Sequence, residues 1–255
     1  MTPRTQVFHF EKEIAAMWFW FLVPVAFLLR GKLLSIPTSF SERRGFVGVY
    51  YFMEYTTMDN AELRDFYLEA QRRVQQYRQM IGKPLTLMEK VFIANLAEAG
   101  VEELGTELSL KPQFIGLQDA TAQMCLLQFV QAGIEQAAVE TAVFCDHLSK
   151  AKDGADADLE RALADNKEVY DFLESVSARY GLRFHAPNDG IIHAIVLFSY
   201  VQPLVLALTT DSHGPNGGAI GPVIGVGGAE AVDPMVGLPY NLPKPKKRLL
   251  CKMGG

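Results

Sequence analysis

The chain has 255 residues, with 24 basic against 29 acidic side chains and a formal net charge of −5. Hydrophobic residues make up 49% and charged residues 21%, a composition that supports a buried core and excludes a largely disordered chain. The acidic balance argues against a nucleic-acid partner, because a phosphate-binding surface needs an excess of basic side chains. The three cysteines form no C-x-x-C pair, so they predict neither a disulfide framework nor a self-contained metal–thiolate site.

The N-terminal region contains an apolar segment long enough to cross a membrane. Residues 14–29 carry no charged side chain, and the apolar character continues to residue 34 past Arg30 and Lys32. A transmembrane helix needs about 20 such residues. A cleaved signal peptide and a buried core helix remain alternatives. The segment predicts one transmembrane helix over residues 14–34, preceded by a tail at residues 1–13.

Cations near the predicted span indicate its orientation. Four cations lie at or beyond the carboxyl end of the span, within residues 30–44, whereas two precede it. The positive-inside tendency therefore places the long C-terminal part on the cytosolic or matrix face. Residues 35–58 are interpreted as a connector and residues 59–255 as one domain with a basic C-terminal tail. The tail fits a solvated end, an anionic membrane surface or an acidic partner.

Two helices are predicted at the start of this domain. The Asp59-Asn60 pair can cap a helix that ends at Gly82. Thr86 and Glu89 have the capping-box spacing before a second helix, which is expected to end at Gly100.

From Leu108 onward, short apolar runs alternate with helical patterns, which is the order of an α/β fold. Strands are predicted at residues 112–117, 142–148 and 203–213. Helices are predicted at residues 121–134 and, as one long amphipathic helix, at residues 158–181.

Polar residues end two of the predicted strands, at Asp146-His147 and at Asp211-Ser212-His213. In parallel sheets such positions form the ligand crevice. His–Asp pairs suit general acid–base chemistry, because the carboxylate orients the ring and stabilises its protonated form. A metal site also stays open here, although the spacing matches no zinc motif. The glycines between Gly218 and Gly228 lack the dinucleotide-binding spacing and indicate close backbone packing.

Five ordered motifs resemble the aconitase family, in its mitochondrial type. They are QDATAQM at residues 118–124, CDHL at 145–148, GIIH at 190–193, TDSHGPNGG at 210–218 and GVGGA at 225–229. The resemblance runs from about residue 83 to residue 255 and corresponds to the first of the family's four domains. It implies an α/β fold of three layers, a sheet with flanking helices, here preceded by the predicted transmembrane helix.

The resemblance also implies roles for seven residues. It assigns acid–base roles to two His–Asp pairs and one further histidine, which are Asp146 with His147, His193 with Asp211, and His213. It assigns substrate-carboxylate contacts to Gln118 and Ser212. Two places depart from the family: Gly214 stands where the family usually has threonine, and Phe114-Ile115-Gly116 replaces a more polar approach to the glutamine motif.

The family's remaining catalytic groups lie beyond its first domain. They include three cysteine ligands of a [4Fe–4S] cluster, substrate-binding arginines and a serine base. Cys125, Cys145 and Cys251 do not match the ligand positions, and their spacing is poor for a cluster. We therefore expect no metal and no cofactor in this chain, with a [4Fe–4S] cluster only where a partner supplies the cysteines.

The predicted span and the lone first domain together suggest a non-catalytic accessory or structural subunit. We expect it in a mitochondrial inner-membrane complex, such as one of the respiratory chain, with the main domain on the matrix side. Its expected partners are the other subunits and the lipid bilayer. The alternative is an enzyme: one chain of a split aconitase, a citrate/isocitrate hydro-lyase completed by another polypeptide. A third option is a binding module for a di- or tricarboxylate, although contacts from one wall alone would be weak.

Overall fold

The structure, a computed structural model, describes residues 58–98 and 107–243. The predicted tail at 1–13, the predicted span at 14–34, nearly all of the connector and the basic C-terminal residues lie outside these ranges. Within the described ranges, no helix has both the length and the apolar character that a membrane crossing requires.

Helix α1 spans Asn60–Ile81 and has matched caps at its two ends. Asp59 Oδ1 accepts the backbone N–H groups of Ala61 and Glu62 at 2.8 Å each, and the Glu62 carboxylate accepts the Asp59 N–H at 3.0 Å. Gly82 closes the helix with φ of 66°, a conformation that glycine adopts without a Cβ clash. These caps confirm the helix predicted between Asp59-Asn60 and Gly82.

Helix α2 spans Leu87–Ala94 and begins with the predicted Thr86–Glu89 capping box. It ends at Ala94, short of the predicted end at Gly100. The reason is tertiary: the Asn95 amide donates to the Leu204 carbonyl oxygen at 2.8 Å, which ties the end of α2 to another part of the chain.

Seven strands form two sheets in the described residues. They are β1 Glu107–Leu110, β2 Phe114–Gln118, β3 Glu140–Phe144, β4 Arg183–His185, β5 Ala207–Thr209, β6 Val223–Gly225 and β7 Tyr240–Pro243. β1 and β7 pair antiparallel. The other five form a parallel sheet in the order β4-β3-β2-β5-β6. Because β2 lies between β3 and β5, the direction of strand addition reverses at β2.

The remaining helical elements follow the strands of the parallel sheet. They are α3 Asp119–Gln131, α4 Ala155–Asp165, α5 Lys167–Tyr180, α6 Ile192–Ile195 with a π-helical turn at Val196–Tyr200, a 3₁₀ segment at Gly214–Ala219, and α7 Gly228–Met235.

The single long helix predicted at residues 158–181 is wrong, because the chain breaks at Asn166 into α4 and α5. The backbone N–H and the side-chain amide of Asn166 both donate to the Ala162 carbonyl oxygen, at 3.0 and 3.1 Å. The two hydrogen bonds share one carbonyl oxygen, and α4 ends here because the Asn side chain competes locally for backbone partners.

Apolar clusters lie on both faces of the parallel sheet. On one face, Leu117 and Val143 pack with Leu126 of α3, Leu173 of α5 and Met235 of α7. On the other face, Phe114 and Phe144 pack with Ile192 of α6 and with Val196 and Tyr200 of the π-helical turn. A parallel sheet covered by helices on both faces confirms the predicted α/β class, and it leaves the carboxyl ends of the strands free to carry polar groups.

Candidate active site

The candidate site lies at the carboxyl edge of the parallel sheet, where β2, β3 and β5 end. Gln118 is the last residue of β2, Asp146-His147 follows β3, and Asp211-Ser212-His213 follows β5. The strand order reverses here, and such a switch point opens a crevice between the loops of neighbouring strands. His193 joins this edge from α6.

His147 is held between two buried carboxylates. Its Nδ1 lies 2.8 Å from Asp146 Oδ1, and its Nε2 lies 3.1 Å from Asp211 Oδ1. The imidazole is 36% exposed, whereas the side chains of Asp146 and Asp211 are 8% and 0% exposed. The ring is therefore hydrogen-bonded at Nδ1 and lies beside Asp211 at Nε2, while about a third of it stays exposed.

Opposing effects act on the pKa of His147. Burial alone lowers the pKa, but the hydrogen bond that the ring donates to Asp146 raises it, and the negative charges of Asp146, Asp211 and Asp119 raise it further. The net pKa lies above the usual histidine value. A raised pKa favours the imidazolium near neutral pH, which is the form that donates a proton.

Asp211 contacts all three histidines of the site. Its Oδ1 faces His147, and its Oδ2 accepts the backbone N–H of His213 at 2.9 Å. His193 Nδ1 lies 3.6 Å from the same Oδ2, so the expected pair of His193 and Asp211 is brought together at ion-pair distance. The rings of His193 and His213 are 5.4 Å apart between centroids. Asp211 thus forms the centre of the cluster.

Asp146 connects the turn after β3 to α6. Its Oδ1 contacts His147, and its Oδ2 accepts the backbone N–H of Ile192 at 2.9 Å. Ile192 precedes His193 at the start of α6, so one carboxylate fixes the elements that carry two of the histidines.

Gln118 and Ser212 lie at the same edge, with different local contacts. Gln118 Oε1 accepts the Ala120 N–H at 2.9 Å, and the Gln118 N–H donates to Thr210 Oγ1 at 3.1 Å. Ser212 Oγ lies 3.1 Å from His213 Nδ1, on the exposed side of the loop. Their roles as carboxylate contacts stay predictions, as do the catalytic roles of the aspartates and histidines.

Sequence reasoning missed two residues that support the site. Asp119 is fully buried and accepts the backbone N–H groups of His147 at 3.2 Å and Leu148 at 3.1 Å. Thr210 Oγ1 accepts the Thr121 hydroxyl at 2.8 Å as well as the Gln118 N–H. Both lie inside the quoted motifs, but only the adjacency of strands β2, β3 and β5 shows what they contact.

The departure at Gly214 has a steric explanation. A Cβ at this position would lie 1.7 Å from Thr209 Oγ1 and 2.8 Å from Thr209 Cβ. Real Cβ atoms do not approach that closely, so a threonine cannot replace Gly214 while Thr209 keeps its place.

Two groups of side chains bring oxygen and nitrogen atoms within 4.8 Å of one another. One is Asp119 with Asp146 and His147, and the other is His193 with Asp211 and His213. Backbone N–H groups and imidazoles already contact each of these carboxylates. Within the described residues, however, His193 Nδ1 and Asp211 Oδ1 of the second group are buried without a hydrogen-bond partner.

The described cysteines do not fit an iron–sulfur cluster. Cys125 of α3 and Cys145, which follows β3, lie in the same apolar core, and Cys125 Sγ contacts Met235 Sδ at 3.7 Å. Burial raises the pKa of both thiols, to about 12 for Cys125. Iron ligation needs accessible thiolates, so these two side chains are unsuited to it. Cys251 lies outside the described residues.

The fold and the site define an α/β protein with a cluster of histidines and aspartates at the switch point of a parallel sheet. Residues 89–253, more than half of the chain, match the model of the aconitase family (aconitate hydratase). The chain belongs to the aconitase family.

Its relatives include mitochondrial enzymes. The mitochondrial aconitate hydratase of Gracilaria gracilis is 47% identical over 72% of this chain and 24% of the relative. That of Saccharomyces cerevisiae is 45% identical over 70% of this chain and 24% of the relative. The mitochondrial homocitrate dehydratase of Saccharomyces cerevisiae is 45% identical over 64% of this chain and 22% of the relative. The chain thus spans about a quarter of the length of the curated relatives that it matches.

These relatives correct the functional expectation. We predicted a non-catalytic accessory subunit of a mitochondrial inner-membrane complex, such as one of the respiratory chain. That prediction is wrong. The matched family is that of aconitate hydratase, and the relatives above are named as hydratases and a dehydratase at 45–47% identity. The alternative weighed beside it, an aconitase-type enzyme, agrees better with these matches.

Proposed function

We propose that this chain supplies the proton-donating wall of an aconitase-type hydro-lyase. The observation that carries the proposal is His147, whose two ring nitrogens face the carboxylates of Asp146 and Asp211 while part of the ring stays open. A hydroxyl group is a poor leaving group unless it is protonated, so dehydration needs a positioned acid. An imidazolium with a raised pKa supplies such an acid.

The proposed step is the dehydration of a hydroxy-tricarboxylate. His147 gives its proton to the hydroxyl oxygen, the C–O bond breaks, and the oxygen leaves as water. The proton on the neighbouring carbon goes to a base, and the electron pair of that C–H bond forms the new C=C bond. We assign the base to a part of the enzyme outside this chain. In the reverse direction His147 accepts the proton from water.

The substrate class follows from the site and from the relatives' names. Ser212 and Gln118 offer neutral hydrogen-bonding groups at the same edge as the histidines, as a polycarboxylate requires. The relatives act on aconitate or homocitrate according to their names. We therefore propose a hydroxy-tricarboxylate as the substrate. The turnover measurement below distinguishes citrate from homocitrate.

The remaining catalytic groups are proposed to come from a part of the enzyme outside these 255 residues. This chain covers about a quarter of the relatives' length. We assign the cysteine ligands of any [4Fe–4S] cluster to that other part, since the described cysteines do not fit.

A mitochondrial location is proposed from the names of the relatives. The membrane span at residues 14–34, with the main domain on the matrix side, stays a prediction from the sequence. So do contacts with the bilayer and with other subunits of a membrane complex, and the exclusion of nucleic acid. Alkaline carbonate extraction of mitochondria tests the span: a protein that stays with the membrane pellet supports it, and release into the supernatant contradicts it.

The hydro-lyase proposal is tested by turnover in the native assembly. The protein is purified with its bound polypeptides, and conversion of citrate and of homocitrate is followed through the absorbance of the alkene product. Loss of a general acid reduces kcat by about 10²–10⁴-fold, and we expect a reduction of this order in His147→Asn. Lys167→Asn is the control, because its ammonium group pairs with Asp171 on an exposed face of α5. Absence of turnover in the native assembly, or full activity of His147→Asn, would contradict the proposal.

A further inference from the structure

Asp119 occupies an unexpected position for the first residue of a helix. It follows Gln118 directly at the start of α3, yet its side chain is 0% exposed. An acidic residue in the first turn of a helix usually lies near solvent and interacts with the helix dipole. Asp119 instead directs its carboxylate into the protein, towards the turn that follows β3.

Both oxygens of Asp119 bind the backbone of that turn. Oδ1 accepts the N–H of His147 at 3.2 Å, and Oδ2 accepts the N–H of Leu148 at 3.1 Å. Hydrogen bonds to an ionised carboxylate are stronger than those between neutral groups. The end of β2 is thereby tied to the two residues whose backbone sets the direction of the His147 side chain.

Two further contacts hold the turn after β3. Asp146 is fixed to the N–H of Ile192, and His147 must reach Asp211 across the end of β2. A shift of the His147 backbone would change both ring contacts together, and a misplacement of about 1 Å costs a catalytic group roughly 10²-fold in rate.

We propose that Asp119 is a positioning residue for His147: its buried carboxylate holds the turn after β3 and places a third negative charge beside the His147 imidazole. The proposal rests on the proposed function, because it gives Asp119 its role through His147. It extends that function to a residue without direct access to the substrate.

The charged surroundings of Asp119 are limited. Asp146 and His147 from the turn after β3 interact with it electrostatically. Its charge also acts on Cys145, which directly follows β3, and on Tyr170 of α5. Burial raises the pKa of the Cys145 thiol and raises the pKa of Tyr170 to about 12, so both are neutral near pH 7. The effect of Asp119 is therefore exerted on the Asp146–His147 pair.

The test is a titration of His147 in the full 255-residue chain with ¹³C-labelled histidine, followed by NMR. The His147 signal is assigned by its loss in His147→Asn. In Asp119→Asn, the negative charge disappears and one backbone N–H faces an amide NH₂ instead of an oxygen. We expect the His147 titration to move to lower pH.

Asp158→Asn is the matched control. Asp158 is also a buried aspartate that accepts backbone N–H groups, but from Lys152, Asp153 and Gly154 in the loop before α4. We expect Asp158→Asn to leave the His147 titration unchanged. An unchanged His147 titration in a folded Asp119→Asn variant would overturn the proposal, and so would an equal shift in both variants.

A measurement on the unaltered chain covers the case in which Asp119→Asn does not fold. Burial raises the pKa of Asp119 above the usual aspartate value, against the lowering effect of its two backbone hydrogen bonds. The amide signals of His147 and Leu148 are expected to titrate together with the Asp119 carboxyl signal, and independent titrations would overturn the proposal. Turnover is not read in either measurement, so failure of the hydro-lyase proposal and failure of this one are distinguishable.

Discussion

The imidazole of His147 and the carboxylate of Asp211 lie 3.1 Å apart, although they follow strands on opposite sides of β2. The contact is an ion-pair approach of Nε2 to Oδ1, and Asp146 completes it at Nδ1 with a hydrogen bond of 2.8 Å. This relationship makes the ionisation of His147 depend on the packing of three strands.

The first prediction concerns Asp146→Asn. The hydrogen bond that His147 donates to Asp146 is the largest influence that raises the pKa of His147 against burial, so replacing the Asp146 carboxylate by a neutral amide should lower that pKa. A raised pKa in the folded state contributes stability that is present below the unfolded value and is lost as pH rises through the folded value. The stability difference between wild type and Asp146→Asn should therefore be larger at about pH 5.5 than at about pH 9.

Urea denaturation at both pH values measures this difference. Asp171→Asn is the control, because it makes the same chemical change at an exposed ion pair whose partner is Lys167. A gap between wild type and Asp146→Asn that does not vary with pH would show that Asp146 does not govern the ionisation of His147.

The second prediction concerns His185, the buried last residue of β4. It stacks on Phe144 with ring centroids 4.4 Å apart, and its Nε2 lies 2.8 Å from the Tyr200 hydroxyl. Burial, helped by the charge of Arg183, lowers the pKa of His185 to about 4. The unfolded chain binds a proton near pH 6.5, so stability is full above that pH and falls as pH drops towards 4.

This group alone should remove about 2 kcal/mol of stability between about pH 7 and about pH 5. The variant His185→Gln cannot acquire the charge, and its amide can still bond to Tyr200. We expect it to be less stable than wild type at pH 7 but to lose less stability on acidification. Parallel stability curves for the two proteins would refute this account of His185.

The third prediction concerns the thiols. Cys125 is fully buried and Cys145 nearly so, and burial raises the pKa of each well above the usual cysteine value. Since the thiolate is the reactive form, iodoacetamide should leave both unmodified in the native protein at about pH 8 and modify both in urea. Mass spectrometry of the peptides that contain each cysteine reads the result. Rapid native labelling of either thiol would show that the core around α3 opens readily.

The fourth prediction concerns Gly214. A methyl group at this position meets Thr209, so Gly214→Ala should destabilise the fold by about 1–3 kcal/mol. Gly218→Ala, in the same 3₁₀ segment, is the control, because a Cβ there meets nothing within 4 Å. The cost at Gly214 should shrink in a Thr209→Ala background, where the colliding hydroxyl is gone, and thermal denaturation of the single and double variants measures it. Equal costs at Gly214 and Gly218 would argue against the steric explanation.

Local signals in the sequence predicted the elements whose ends are closed by their own residues. Helix α1 is an example, since Asp59, Glu62 and Gly82 lie within a few residues of its ends and carry the caps. The break at Asn166 was missed, because the apolar periodicity of α4 and α5 continues across it and only the bond to Ala162 ends α4.

The pairing of β1 with β7 could not be predicted, because it joins residues near 108 to residues near 242 and depends on long-range contacts. The site shows the same division. Asp146-His147 and Asp211 were found as polar residues at strand ends, but the contact between His147 and Asp211 depends on strand order. Asp119 was hidden by its position, since an acidic residue that starts a helix is ordinary in sequence.

The position of β2 in the sheet has a geometric consequence for this edge. Neighbouring strands lie about 4.8 Å apart, so β3 and β5 are separated by roughly 10 Å with the end of β2 between them. The side chains that follow them must bridge that gap above β2. Gln118 leaves the space clear, because its side-chain oxygen bends back to Ala120 and the chain turns at once into α3. Inserting one residue between β2 and α3 would place extra backbone between the two loops. The insertion would then separate the His147 imidazole from the Asp211 carboxylate.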